Sequence, residues 1–253
     1  MMAFTIAGRE LRSLFISPLA WSILAVVQLI LAYMFLTQLD LFMALQSRLL
    51  GVAGAPGVTE IIAAPLLGNA AVVLLLVVPM LTMRLISEER RAQTLSLLFS
   101  APLSMSEIVL GKFLGVMGFL LIMVLMIVLM PLSLLVGGSL DLGMLLAGTL
   151  GLVLLLASFA ALGLFMSTLT EQPTIAAVSS FGVLLLLWII DWAGGNSGAS
   201  QASELFAYLS LLRHFESLLK GVFDSADVIY YLLFVTLFLA MSIRRLDADR
   251  LQH

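Results

Sequence analysis

Cysteine is absent from the 253-residue sequence, which excludes disulfide frameworks, thiolate metal sites and cysteine nucleophiles. Histidine is nearly as scarce. His214 and His253 are the only two, and neither has a metal-ligand companion at useful spacing, so no metal site is expected. Charge is thin: charged residues make up 11% of the chain, where soluble domains carry roughly 25%. With 62% hydrophobic residues and a mean hydropathy of +1.18, a water-soluble fold would lack the charges to cover its surface. The net charge of −3 gives no basis for a nucleic-acid partner. No G-x-x-x-x-G-K-[ST] loop is present, so the chain has no recognisable nucleotide site of its own, no catalytic residues are expected, and any ATP-driven work must be powered by another chain.

What is present is a series of long apolar runs. A spanning helix needs about 20 mostly apolar residues, and six stretches meet or approach that length: residues 19–36, 61–83, 113–136, 142–166, 175–190 and 228–243. Arg9 and Arg12 ahead of the first run resemble the start of a signal peptide. The run is too long for a signal core of roughly 7–15 residues and has no convincing cleavage site, so an uncleaved span is expected. Nine Lys and Arg residues fall on the side of the two termini and three on the other, which places both termini in the cytoplasm. Trp188, Trp192, Tyr230 and Tyr231 then lie near the outer interface.

The spans lack ionisable residues near their middles. Arg84, Lys112, Asp141 and Asp191 fall at span ends, where long side chains can snorkel. Proton- and sodium-coupled carriers usually need an intramembrane ionisable group or a broken-helix ion site. That class is disfavoured, although sodium coordination by backbone carbonyls stays open, and an intramembrane protease is disfavoured for want of a paired Asp or a Ser/His set at depth. Gly111 and Gly115, then Gly143, Ala147 and Gly151, with Ala157 and Ala161 beyond, recur at four-residue spacing. Such stripes allow close backbone approach, within one chain on the plainer reading and between subunits on the sharper one. Pro79 and Pro131 should kink their spans, and residues 51–57 and 194–200 read as loops.

Two connecting segments carry more information. Between spans 5 and 6, Tyr208, Leu212, Phe215, Leu219 and Val222 recur at helical spacing to form one apolar face, with Arg213, His214, Glu216 and Lys220 mostly elsewhere. That charge density disfavours a full span, and an interfacial or re-entrant helix is expected. Between spans 2 and 3, an amphipathic helix should continue from span 2, with Glu88, Glu89, Arg90 and Arg91 as its charged start and Leu95, Leu98 and Phe99 as its apolar face. Pro102 should break it. Ser104 and Glu107 then form a capping box for the helix that becomes span 3.

This second segment resembles the loop of type-2 ABC exporter (ABC-2) permeases, whose members often read E-E-R-x-x-x-T-x-x-x-L-x-x-x-P-x-S-x-x-E-x-x-x-G-K. Glu88, Glu89, Arg90, Thr94, Leu98, Pro102, Ser104, Glu107, Gly111 and Lys112 match that pattern. The segment from Leu209 to Tyr231, with His214-Phe215, Gly221-Val222 and Tyr230-Tyr231, is similar to the gliding-motility (GldF-like) subgroup. The resemblance implies an all-α, polytopic membrane protein, a single transmembrane domain over residues 1–253. Its six spans would be joined by an N-terminal interfacial amphipathic helix carrying Arg9, Glu10 and Arg12. Extracytoplasmic re-entrant helices between spans 5 and 6 would include Leu212, His214, Phe215 and Leu219. It implies a permease of a bacterial inner membrane, paired with a second copy or a paralogue and with two copies of an ABC ATPase that bind ATP and Mg, and leaves room for a periplasmic auxiliary protein. Glu88, Glu89, Arg90, Arg91 and Thr94 would couple to the ATPase. The alternative function is a non-transporting module, for mechanotransmission or assembly, moved by an ATPase.

Overall fold

A computed structural model describes residues 2–49, 57–94, 104–136, 140–196 and 210–250, with no strand among them. Helix α1 spans Met2–Ile16 and α2 Pro18–Leu49. A π-helical turn, Thr59–Ala63, leads into α3, Ala64–Thr82, which is followed by the short α4, Ser87–Arg91. Then come α5, Met105–Leu132, and α6, Leu142–Leu169. The last three are α7, Pro173–Asn196, α8, Leu211–Leu219, and α9, Ser225–Arg250. Six helical stretches are long and apolar enough to cross a membrane. The chain is therefore an all-α, multi-pass membrane protein, as its composition requires.

Several spans are longer than their apolar runs. Helix α2 continues past residue 36 because residues 41–45 stay apolar and no Gly or Pro intervenes. Helix α5 begins eight residues ahead of its apolar run, where the capping box sets its start: Ser104 Oγ accepts from Glu107 N–H at 3.2 Å, and Ser104 N–H donates to Glu107 Oε2 at 3.3 Å. Asp141 caps α6 by accepting from Gly143 N–H and Met144 N–H at 2.9 and 3.1 Å. Pro173 occupies the first turn of α7, where a missing N–H costs nothing.

Helices α3, α5 and α6 form the buried centre, with Leu66, Leu74, Phe119, Leu120, Leu155 and Phe159 fully enclosed. Among its described side chains, helix α2 buries only the stripe Ala20, Leu24, Val27 and Leu31, and leaves Trp21, Leu29, Tyr33 and Leu36 exposed. In lipid such a surface carries no hydrophobic penalty, so close packing depends on small residues and polar contacts instead. The small-residue stripes do this within the chain. A Cβ on Gly111 would lie 2.6 Å from Ile6 Cβ, and one on Gly115 2.6 Å from Glu10 Cβ, while Gly118 approaches Leu11. Helix α1 therefore runs beside the first half of α5 in the same direction, backbone against backbone. On α6 the packed glycines are Gly148 and Gly151, against Leu67, Leu218 and Phe215, and Gly163, against Thr82 of α3. Gly143 is exposed and Ala147 half-buried, so the contact face is offset from the expected stripe, while Ala161 is buried and Ala157 half-buried.

The path out of α3 departs from expectation. The sequence pattern leads to an amphipathic helix continuing from span 2; α4 does carry the chain on from α3, but α3 ends at Thr82 and a turn over residues 83–86 comes between them. The cause is Ser167 on α6. Its Oγ accepts from Ile86 N–H at 3.1 Å and Ser87 N–H at 3.0 Å, and donates to the Met83 carbonyl at 3.1 Å. A side chain inserted into the i→i−4 ladder bends a helix. Ser87 Oγ also bonds the Met83 carbonyl. Beyond α4, Gln93 takes a positive φ of 55° and ends the helix. Leu95, Leu98, Phe99 and Pro102 lie outside the described residues, as do residues 51–56, 197–200 and Tyr208.

Candidate functional site

Two polar clusters occupy opposite ends of the bundle. The first surrounds α4. Lys112, in the third turn of α5, is 3% exposed, and its Nζ donates to Glu89 Oε1 at 2.8 Å and to Glu10 Oε2 at 3.5 Å. A snorkelling lysine was expected here. The side chain is instead enclosed, because α1 lies over Gly111 and Gly115 and closes the route outward. An isolated ammonium in such a place is prohibitive, so the two carboxylates are a condition of its burial. Next to it, Arg90 pairs with Asp249 near the end of α9 and donates to the Thr168 carbonyl of α6 at 3.0 Å. Asp249 also lies 3.6 Å from Arg245.

The five residues of α4 thus divide into two sets. Ser87, Glu89 and Arg90 face inward and tie the segment to α6, α5 and α9, with α1 joined to the cluster only through the Lys112–Glu10 pair. Glu88 and Arg91 face outward and, with Thr94, are exposed. Glu88, Arg91 and Arg84 line a cleft of about 480 Å³ between α4 and the start of α7. Glu89 Oε2 and Arg90 Nε are buried without a hydrogen-bond partner among the described residues. The interfacial set divides in the same way: Glu10 turns inward to Lys112, while Arg9 and Arg12 are exposed.

The second cluster joins α8 to α9 at the other end. His214 Nδ1 lies 2.6 Å from Asp227 Oδ1, with both side chains buried. The His214 ring stacks on Tyr230 at 4.1 Å between centroids. Tyr231 O–H donates to the Leu211 carbonyl at 2.6 Å, and Ser210 caps α8 through Arg213 N–H. Helix α8 packs mainly on α6, where Gly151 admits Leu218 and Phe215. Its buried face is Leu211, His214, Phe215 and Leu218. That face is turned from the expected one: Leu212 and Leu219 are half-buried and Val222 is exposed, because His214 is drawn inward by a partner that apolar periodicity does not reveal. A cleft of about 640 Å³ opens between α8 and the start of α3, bordered by Glu60, Asn69, Trp188, Phe215 and Glu216.

Asp227, Asp249, Ser167 and Thr168 escaped the sequence reading. Asp249 stands four residues after Arg245, a spacing that reads as an ordinary surface pair. Asp227 is separated from His214 by the turn at Gly221, whose φ of +76° few other residues adopt readily.

An all-α bundle of six apolar helices, with a charged segment bolted to one end and a short helix tucked into the other, is a multi-pass membrane protein. A family model described as "ABC-2 family transporter protein" matches residues 4–251, so the chain belongs to the ABC-2 transporter family. A search of curated proteins found no match.

Proposed function

We propose that this chain is the permease subunit of an ATP-driven exporter. On this reading it is one transmembrane domain in a bacterial inner membrane, with both termini and α4 in the cytoplasm. It works with a second copy or a paralogue and with two copies of an ABC ATPase, which hold ATP and Mg; the chain itself is not an enzyme. Family membership supports an ATPase partner in general. The gliding-motility subgroup rests only on the sequence features between Leu209 and Tyr231, and a periplasmic auxiliary protein on the family resemblance alone.

The observation that carries the reading is the division of α4. A segment that merely linked two spans would have no need to anchor Glu89 and Arg90 to three other helices. Anchored inward, α4 passes any push on Glu88, Arg91 and Thr94 directly into the bundle. We therefore assign docking to the outward residues and transmission to Glu89 and Arg90.

The test is the double variant Glu88→Ala/Arg91→Ala, assayed for association with the co-purifying ATPase and for ATP-dependent transport. Insertion and thermal stability should be unchanged, because both side chains are exposed. Association should fall roughly tenfold, with a salt dependence weaker than wild type, as expected for rim charges. Wild-type association and transport in this variant would overturn the docking role. An ATPase cycle that moves the chain with no substrate-dependent flux would assign the non-transporting role instead.

A further inference from the structure

Helix α9 links the two clusters. Asp227 stands in its first turn and Asp249 in its last, 22 positions apart, which is about 33 Å at 1.5 Å per residue. Twenty-two residues make about six turns at 3.6 per turn, so the two carboxylates share a face. It is the face that α9 buries, through Tyr231, Leu239, Ser242 and Leu246. Among the described residues, α9 is the only span with a carboxylate bonded to a side chain of another element at each end: Asp227 holds His214 of α8, and Asp249 holds Arg90 of α4.

The helix between these pairs is built to resist bending. It has no internal Gly or Pro, the usual sites of kinks. Helix α6 also reaches both clusters, but it carries Gly148, Gly151 and Gly163. Helix α3 carries Gly68 and Pro79, and α5 carries Pro131. Along α9, Phe234 and Phe238 meet as tilted rings with centroids 4.7 Å apart, and Phe238 meets Phe165 of α6 at 5.7 Å, so the rod has a track to lie on.

We propose that α9 is a strut that carries displacement of α4 to α8, with Asp249 and Asp227 as positioning residues that couple it at either end. Its part in an ATP-driven cycle rests on the reading of α4 as the docking segment. The mechanical link is a property of this chain alone. Movement of α4 shifts Arg90 and, through Asp249, the end of α9. The shift arrives at Asp227, which moves His214 and so seats or unseats Leu211, Phe215 and Leu218 on α6. The 640 Å³ cleft bordered by Phe215 and Glu216 changes shape as a result.

Amide hydrogen exchange on the full chain in lipid nanodiscs, without any ATPase, tests this, because exchange reports local opening element by element. Asp249→Asn keeps the shape of the side chain and removes its charge. It should raise exchange in α8 several-fold, about 33 Å from the substitution, while α1 stays at the wild-type rate. Asp227→Asn should raise exchange in α8 directly, and Arg250→Ala, an exposed neighbour, should leave it unchanged. If Asp249→Asn leaves α8 unaltered, the strut is refuted, whether or not Asp227→Asn loosens that helix. If Asp249→Asn raises exchange in every element, Arg90→Lys decides, since it retains the charge and loses the guanidinium fork: a rise confined to α8 and α4 supports the strut, and any other pattern overturns it. The ATPase-association assay with Glu88→Ala/Arg91→Ala is independent, so the docking role and the strut can fail separately.

Discussion

Lys112 shows how much one side chain can demand of its surroundings. Its ammonium has two carboxylates, Glu89 at 2.8 Å and Glu10 at 3.5 Å, and almost no water. Buried pairs contribute little net stability, yet removing one partner leaves an uncompensated charge and costs ~3–5 kcal/mol. Lys112→Met should therefore be the most damaging of three substitutions, because it leaves two carboxylates facing each other. Glu89→Gln should come next and Glu10→Gln last, in the order of the distances. Thermal unfolding in detergent, followed by loss of α-helical signal, ranks them. If Glu10→Gln proves worse than Glu89→Gln, the pairing hierarchy drawn from the distances is wrong. The same logic underlies the proposed assignment of Glu89 and Arg90 to transmission rather than docking. A residue already committed to a buried partner cannot also meet an ATPase without giving that partner up.

Among the elements, α1 is the one whose position most changes the picture drawn from sequence. Its amphipathic pattern was legible, as were the capping box of α5 and the approximate position of every span, since these depend on local periodicity and capping chemistry. The seat of α1 on α5 was not legible, because periodicity shows that a face is apolar and says nothing of which helix it meets. Gly111 and Gly115 were visible as a close-approach stripe, but only the structure assigns the approaching backbone. The bend before α4 was hidden for a related reason: its cause, Ser167, is 80 residues away from Ser87 in the chain. Likewise, the rotation of α8 depends on Asp227, which lies beyond the turn at Gly221. The seat can be tested by volume. Gly115→Val puts atoms where Glu10 Cβ and the Ala7 carbonyl already stand, at 2.6 and 3.1 Å from the new Cβ. It should displace α1 and raise amide exchange across Met2–Ile16 by tenfold or more, on the order of 1.4 kcal/mol. Gly182→Ala meets nothing within 4 Å and is the matched control. Unchanged protection of α1 in Gly115→Val would contradict the packing described.

At the scale of the whole molecule, the two polar clusters set a test of orientation. If both termini are cytoplasmic, α4 is accessible from inside and the end of α8 from outside. The chain has no native cysteine, so Arg91→Cys and Lys220→Cys, both at exposed positions, can each be labelled alone with a membrane-impermeant maleimide. Intact spheroplasts should label the position 220 cysteine and spare the position 91 cysteine; the reverse pattern would invert the topology. The contact between α1 and α5 also has a meaning in time. Glu10 and Lys112 are 102 residues apart, and at ~5–20 residues per second the ribosome needs on the order of five to twenty seconds to travel from one to the other. Until then α1 has no glycine seat and Glu10 no cation. The pair closes only if the third span enters the bilayer with its Lys112 end on the side where α1 waits, because an inverted span would carry Gly111, Gly115 and Lys112 out of reach. Closing the contact is thus a check, made during synthesis, that half the chain has been threaded the right way round.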